Sequence, residues 1–271
     1  MYSVLMSVYA KENPEYLRES IQSILQQTLP TDDFVLVCDG PLTEALDQTI
    51  SYFQTNYSDI FNVVRLEKNM GLGSALNQGM QRCKHSLIAR MDSDDISRSN
   101  RCQLQYEFFM KHPEIDMVSG IIEEFAFHPD DVTSRRVPPE QHEDILRFAK
   151  KRCPFNHPCI MYRKEAVLAA GGYQHFYLLE DYYLWIRMLI AGSKGHNLQI
   201  PLLWMRTGTG MYQRRGGINY AKSQVALLRY MKEHGFINAW GFFTGASVRI
   251  LSALAPAGLR KLGYSLFLRK K

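Results

Sequence analysis

The sequence predicts an α/β fold, a mostly parallel sheet flanked by helices on both faces. Three observations predict it. Apolar runs of strand length such as "FVLVCD" (Phe34 to Asp39) read as strands covered on both sides. They alternate, over short connections, with segments whose apolar residues recur at helical spacing. The strands also end on polar groups, and in such sheets ligands sit outside the carboxyl ends.

The elements follow in order. "SVLMSVYA" is a first strand. Asn13-Pro14 opens a helix carrying Leu17, Ile21, Ile24 and Leu25, with Pro14 suited to its first turn. After the second strand, Pro41 opens a helix that runs towards Tyr57. "FNVVRLE" is a third strand, "GLGSALNQGMQRCK" a third helix and "SLIARMD" a fourth strand. Tyr9, Asp39 and Asp92 fall at strand ends and should line one crevice. A helix then spans Arg101 to Lys111, and "DMVSGIIEEF" is a strand. The polar stretch His128 to Glu143 reads as a loop or crossing segment. "HPCIMYRKEAVLAAGGY" reads as strand, short helix and glycine stop. "EDYYLWIRMLIAGS" is an amphipathic helix with acids in its first turn.

At 271 residues and 46% hydrophobic, the chain can bury one large core or two small ones. "MYSVLMSVYA" lacks a basic leader and a cleavage site, and reads as the first strand of a cytosolic protein. Cys38, Cys83, Cys102, Cys153 and Cys159 are odd in number and show no C-x-x-C spacing, so free buried thiols are expected. Of the net charge of +5, the tail holds the surplus: Phe236 to Lys271 contains six basic residues and no acid.

"RMDSDDIS" gathers three carboxylates directly after an apolar strand. Ser93, Asp94 and Asp95 suit a solvated loop with a helix N-cap. Strand-end carboxylates one residue apart also suit a shared hard divalent cation that keeps sites free for phosphate oxygens.

Several stretches resemble one family in order: "SVYAKENPEYLRESIQSILQQTL", "VCDG", "EKNMGLGSALNQGM", "RMDSDD", "GGY" and "LEDYYLWIRM". Together they resemble the family 2 glycosyltransferases of the GT-A fold over roughly Met1 to Arg206, and "RTGTGMYQRRGG" resembles the exopolysaccharide and O-antigen subgroup. The resemblance implies an inverting enzyme with a Rossmann-like nucleotide-binding half (1–97) and an acceptor and catalytic half (98–235); residues 236–271, two apolar stretches interleaved with Arg and Lys, read as a basic amphipathic tail.

The resemblance also implies roles. Asp39 would hydrogen-bond the nucleotide base, with Tyr9 and Ala10 packing near it; a core aromatic is the other reading of Tyr9. Asn69, Gly71 and Asn77 would border the nucleotide, Gly71 being equally a turn glycine. Asp92 and Ser93 would meet the ribose and diphosphate side. Asp94, with Asp92, would hold Mn²⁺ or Mg²⁺, and Asp95 would cap a helix. Arg90 either reaches a phosphate or pairs with a carboxylate. Asp181, beside Glu180, would be the base that deprotonates the acceptor. Gly171 and Gly172 would shape the acceptor side, where His157 either touches the acceptor or sits in a strand entry. Gly208 stands where many members carry a metal-site His, and Arg214 and Arg215 suit a loop closing over phosphate or a solvated basic turn.

The expected reaction moves a sugar from a nucleoside diphosphate, UDP by expectation, to a lipid-diphosphate-linked oligosaccharide. Residues 236–271 would make peripheral contact with an anionic membrane at its inner face, the other reading being that they pack on the catalytic domain or form an oligomer contact. No nucleic-acid partner is expected. The alternatives are an impaired binding or scaffold protein of the same fold, and a D-x-D phosphoryl-transfer hydrolase. The hydrolase reading is weakened because such enzymes place the nucleophilic Asp on the first strand.

Overall fold

The computed structural model describes residues 1–207 and 216–255; Gly208, Arg214, Arg215 and residues 256–271 lie outside the described residues. The first half follows the apolar pattern. Strand β1 (Ser3–Val8) leads to helix α1 (Pro14–Leu25), whose N-cap Asn13 accepts from the Glu15 amide at 2.9 Å. Strand β2 (Phe34–Cys38) is buried at every position. Helix α2 (Glu44–Asn56) starts three residues beyond Pro41, because the Thr43 hydroxyl takes the capping role at Leu46. Strand β3 (Phe61–Arg65), helix α3 (Leu72–Arg82) and strand β4 (Leu87–Asp92) complete this half.

These strands run parallel in the order β3-β2-β1-β4. Val8 pairs with Cys38 and Ser7 with Asp92, so Tyr9, Asp39 and Asp92 share one edge of the sheet. α3 lies very close to the strands. A Cβ on Gly79 would stand 2.5 Å from Leu5 Cδ1 and Val37 Cγ2, which is why a helix interior tolerates glycine there.

Beyond β4 the pattern changes. The elements are β5 (Ile96–Ser97), α4 (Arg101–Lys111), β6 (Met117–Phe125), β7 (Val132–Arg136), α5 (His142–Ala149), β8 (Met161–Arg163), α6 (Lys164–Ala169), α7 (Glu180–Ile190), β9 (Gly195–Arg206), α8 (Ile218–Glu233) and α9 (Ala239–Leu254). β8 is antiparallel to β4 and β6, β9 is parallel to β6, and β5 and β7 are antiparallel additions.

Two segments depart from the sequence reading. Residues 128–143 contain a strand and the start of a helix rather than a loop. β7 is charged because its partner is: Arg135 and Arg136 bond Glu123 and Glu124 of β6 at 2.8 and 2.6 Å, and both glutamates are buried. β9 escaped notice because Pro201 and several polar residues interrupt it; its pairing with β6 slips at Gly120/Ile121, opposite Pro201, and a bulge is where a strand admits proline.

The sheet buries a core on each face. One gathers Leu5, Val35 and Val37 with α3, α7 and α8 around Trp185; the other gathers Val4, Met6 and Leu36 with α1, α2 and α4. Ile237, Ala246 and Ala253 join the first core, so α9 is attached to the body. None of the five cysteines forms a disulfide among the described residues, and four of them are buried. No helix among the described residues is long and apolar enough to cross a membrane.

Candidate active site

The turn after β4 brings carboxylate oxygens of Asp92, Asp94 and Asp95 within 4.8 Å of one another. Arg90, enclosed at 1% exposure, ion-pairs with Asp92, which is 31% exposed. Its guanidinium therefore holds a site carboxylate rather than standing open to a phosphate. Ser93 Oγ donates to Glu12 Oε2 at 2.6 Å, which brings a fourth carboxylate to the group. Burial first, then the charges of Asp92 and Glu12, push the Asp94 carboxyl up to about 7. Burial and the same crowding push Asp95 well above the usual range. An all-oxygen set of crowded, partly buried acids fits a hard divalent cation, whose charge relieves the repulsion.

Asp95 caps no helix. α4 begins six residues later, and Asp95 Oδ1 instead accepts from the Arg206 amide at 2.8 Å. Arg206 also donates to the Asp94 carbonyl at 3.1 Å and to Glu19 at 2.6 Å, and it stacks over Tyr16. The end of β9 thus clamps the acidic turn.

At the neighbouring strand end, the Asp39 carboxylate accepts from the amides of Met70 (2.7 Å) and Gly71 (3.0 Å), and Asn69 donates to the Asp39 carbonyl. Asp39 thereby fixes the entry to α3. Each of its oxygens keeps one further lone pair for a ligand. Tyr9 is 41% exposed and Ala10 is exposed, which removes the core reading of Tyr9.

Asn77, expected beside the nucleotide, is placed elsewhere. Its amide donates to the Tyr173 carbonyl at 2.5 Å and accepts from the Tyr173 amide at 2.8 Å. It pins the glycine turn from the opposite half of the chain. Gly172 has φ +64°, and a Cβ there would meet Asn77 Oδ1 at 2.8 Å. Arg187 of α7 holds the turn's other side by donating to the carbonyls of Ala170 and Gly172.

That turn leads to Glu180 and Asp181 at the start of α7. Leu178, with φ +59°, is the described non-glycine residue in the left-handed region, and such strain is tolerated where the surroundings enforce it. Asp181 Oδ1 accepts from the Tyr182 amide, and the Cys153 thiol lies 3.8 Å from Oδ2. Burial raises the Glu180 carboxyl above its ordinary value. Tyr173 is buried, and burial first, with the charges of Asp181 and Asp92 adding to it and that of Arg90 opposing it, holds its hydroxyl above the ordinary value. His157 is 9% exposed, bonded to Tyr173 at 3.0 Å and edge-on to Trp185, so it supports Tyr173 from beneath instead of facing an acceptor.

The sequence profile of Glycosyl transferase family 2 matches residues 3–171. The chain belongs to glycosyltransferase family 2. Among relatives, it is 39% identical to the amylovoran biosynthesis glycosyltransferase AmsE of Erwinia amylovora, over 97% of this chain and 98% of that protein. It is 37% identical to an Escherichia coli UDP-Gal:alpha-D-GlcNAc-diphosphoundecaprenol beta-1,3-galactosyltransferase, over 99% and 97%. The mannosyltransferase PcManGT from Pyrobaculum calidifontis, solved with GDP-Man and Mn²⁺, superposes with a TM-score of 0.65 at 16% identity, over 99% of this chain and 81% of that one. The fold is GT-A-like, and the chain is a glycosyltransferase of bacterial surface-polysaccharide biosynthesis.

Three residues of this family 2 site escaped the sequence reading. Glu12 and Arg206 sit 80 or more residues from the motif they touch, and a lone acid or base in a loop carries no local signal. Tyr173 was within reach, because it ends the "AGGY" turn just upstream of the "LEDYY" acids.

Proposed function

We propose that this glycosyltransferase is metal-dependent and inverting, and moves one sugar from a UDP-sugar to a lipid-diphosphate-linked oligosaccharide at the inner face of a bacterial membrane. The observation that carries this reading is the cluster of Asp92, Asp94 and Asp95 at the end of β4, with carboxylate oxygens within 4.8 Å of one another; the Glu180–Asp181 pair at the start of α7 supplies the second acidic group. The UDP-Gal donor and diphosphoundecaprenol acceptor named for the E. coli relative support the substrate class. The Mn²⁺ recorded with the mannosyltransferase of like fold supports the metal.

Asp94 and Asp92 would hold Mn²⁺ or Mg²⁺, with Asp92 fixed by Arg90. Bound there, the cation supplies positive charge to the diphosphate leaving group. Residues 1–97 form the donor side, where Asp39 keeps the α3 entry shaped for the base beside Tyr9 and Ala10. Residues 98–235 form the acceptor side. There Asp181 takes the proton of the acceptor hydroxyl as its oxygen attacks the anomeric carbon opposite the leaving diphosphate, inverting that centre. Glu180, kept more readily protonated by burial, lines the same wall. Residues 236–271 hold the enzyme against the anionic lipid.

The test is thermal stability with UDP, UDP-sugars and Mn²⁺, singly and together, followed by transfer assays on a lipid-diphosphate acceptor. A nucleotide-induced rise in Tm that requires the metal supports the reading, since a ligand that binds only the native state raises Tm. Turnover that survives metal chelation would overturn it.

A further inference from the structure

We infer that the outer face of α9 is the enzyme's docking surface for an anionic lipid bilayer, and that Arg249 on its inner face ties this surface to the start of α7, beside the candidate base Asp181. The inference deepens the reading of a lipid-linked acceptor. α9 is inverted for a surface helix of a soluble protein. Small residues, Ala246 and Ala253, face the core, while large apolar ones face outward: Trp240 is 75% exposed, Phe243 62%, Leu251 71% and Leu254 56%. At 3.6 residues per turn these four, with Ile250, fall within an arc of about 100°. Within that arc the apolar stripe is interrupted by Ser247, whose hydroxyl is satisfied by the Phe243 carbonyl at 2.9 Å, and an apolar stripe of that width marks an interaction site.

Arg249 projects from the opposite side of the helix. It donates to Gln224 Oε1 at 2.8 Å, to the Lys151 carbonyl at 3.0 Å and to the Tyr182 hydroxyl at 3.2 Å. Tyr182 is the neighbour of Asp181. The helix that presents the stripe is therefore bolted to the first turn of α7, and docking fixes the acceptor side relative to the bilayer.

Charge identifies the occupant. Besides Arg249, which is turned inward, the segment from Phe236 to Lys271 carries five further cations and no acid. Beside the near end of the helix, the ammonium groups of Lys150 and Lys232 lie 5.9 and 5.5 Å from the rings of Phe236 and Phe242. An apolar stripe with aromatic residues and cationic flanks matches the headgroup region of anionic lipid. It is not self-complementary, because a second copy would bring the same cations against these. Spanning is ruled out for α9 itself: its 16 residues rise about 24 Å and its inner face is covered by protein.

The test uses the full chain and Trp240→Glu/Leu251→Glu, both positions lying outside the candidate site. Vesicles of phosphatidylglycerol and phosphatidylcholine are sedimented with each protein, without donor or acceptor. The wild type should bind the anionic vesicles, release them in high salt, and bind neutral vesicles far less. The double variant should lose at least tenfold in binding while keeping its Tm and its activity on a short water-soluble acceptor, and should lose a similar factor on a vesicle-embedded acceptor. Binding by the double variant equal to wild type overturns the inference. So does equal binding to neutral vesicles, or a wild-type dimer in sedimentation analysis that the double variant splits while vesicles are ignored. The binding arm needs no sugar transfer. A chain that docks but transfers nothing refutes the proposed function alone, and one that transfers without docking refutes this inference alone.

Discussion

The two parts of the candidate site are positioned by different means. In residues 1–97, the proposed donor side, groups are delivered through strand ends: parallel register sets Asp39 and Asp92 at one edge of the sheet. On the proposed acceptor side, side-chain hydrogen bonds do this work. Asn77 and Arg187 hold the Gly171–Gly172 turn, Tyr182 reaches the Ala149 carbonyl at 2.6 Å, and Arg249 reaches Tyr182. The difference teaches where function and stability separate. Asp94 is a crowded like charge that the fold tolerates, so removing it should harm chemistry without harming the fold, whereas Asp39 and Asp95 also hold main-chain amides. Acceptor-side polar groups hold main chain, so removing one should cost stability as well.

The largest expected effect is that of Asp94→Ala. Transfer should fall by a factor on the order of 10³ or more, the loss expected when a group that stabilises leaving-group charge is removed. The Tm without metal should not fall, because the lost carboxyl is destabilised by burial and by Asp92 and Glu12. Mn²⁺ should raise the Tm of the wild type and leave the variant's unchanged. A metal-stimulated variant would move the cation site elsewhere and dissolve the contrast. Next comes Asp181→Asn, which keeps shape and removes the base. Transfer should fall roughly 10²–10⁴-fold while UDP-sugar affinity is retained. A large loss of donor affinity with turnover intact would place Asp181 in binding.

Asn77→Leu tests the acceptor side directly. It removes two hydrogen bonds to Tyr173 and leaves that main chain unpaired, at a cost of about 1–3 kcal/mol for each buried group left unsatisfied. The Tm should drop by several degrees, with transfer reduced in parallel and UDP affinity little changed. If UDP affinity fell alone and the Tm held, Asn77 would belong to the nucleotide after all.

The same contrast explains what the sequence revealed. The donor half was readable because its order is local: apolar runs mark β1, β2 and β4, and spacing marks α1 and α3. The acceptor half hides its order in distant pairs. β7 reads as a polar loop until Glu123 and Glu124 of β6 are set opposite Arg135 and Arg136. Motifs reached the acidic turn and the α7 acids, yet the tethers Glu12, Arg206 and Asn77 became apparent only once the chain was folded. Asn77 was noticed for its motif and assigned to the wrong partner.

The smallest expected effect lies beneath the boundary between the halves. Burial, and then the nearby Arg90 charge, hold the His157 imidazole well below its ordinary value, so it stays neutral in the native state. In the unfolded chain the ring takes a proton at its ordinary pKa of about 6.5. Below that pH the unfolded state binds more protons than the native one, so native stability falls as pH drops. One such group contributes a slope of up to about 1.4 kcal/mol per pH unit until the native ring is itself protonated. His157→Gln keeps a hydrogen-bonding group near the Tyr173 hydroxyl and removes the titration. Its Tm should therefore change less than that of the wild type between pH 6.5 and 5, whatever offset the substitution adds at neutral pH. Parallel profiles would mean that His157 titrates as it would in water, and that the ground under Tyr173 is wetter than its 9% exposure implies.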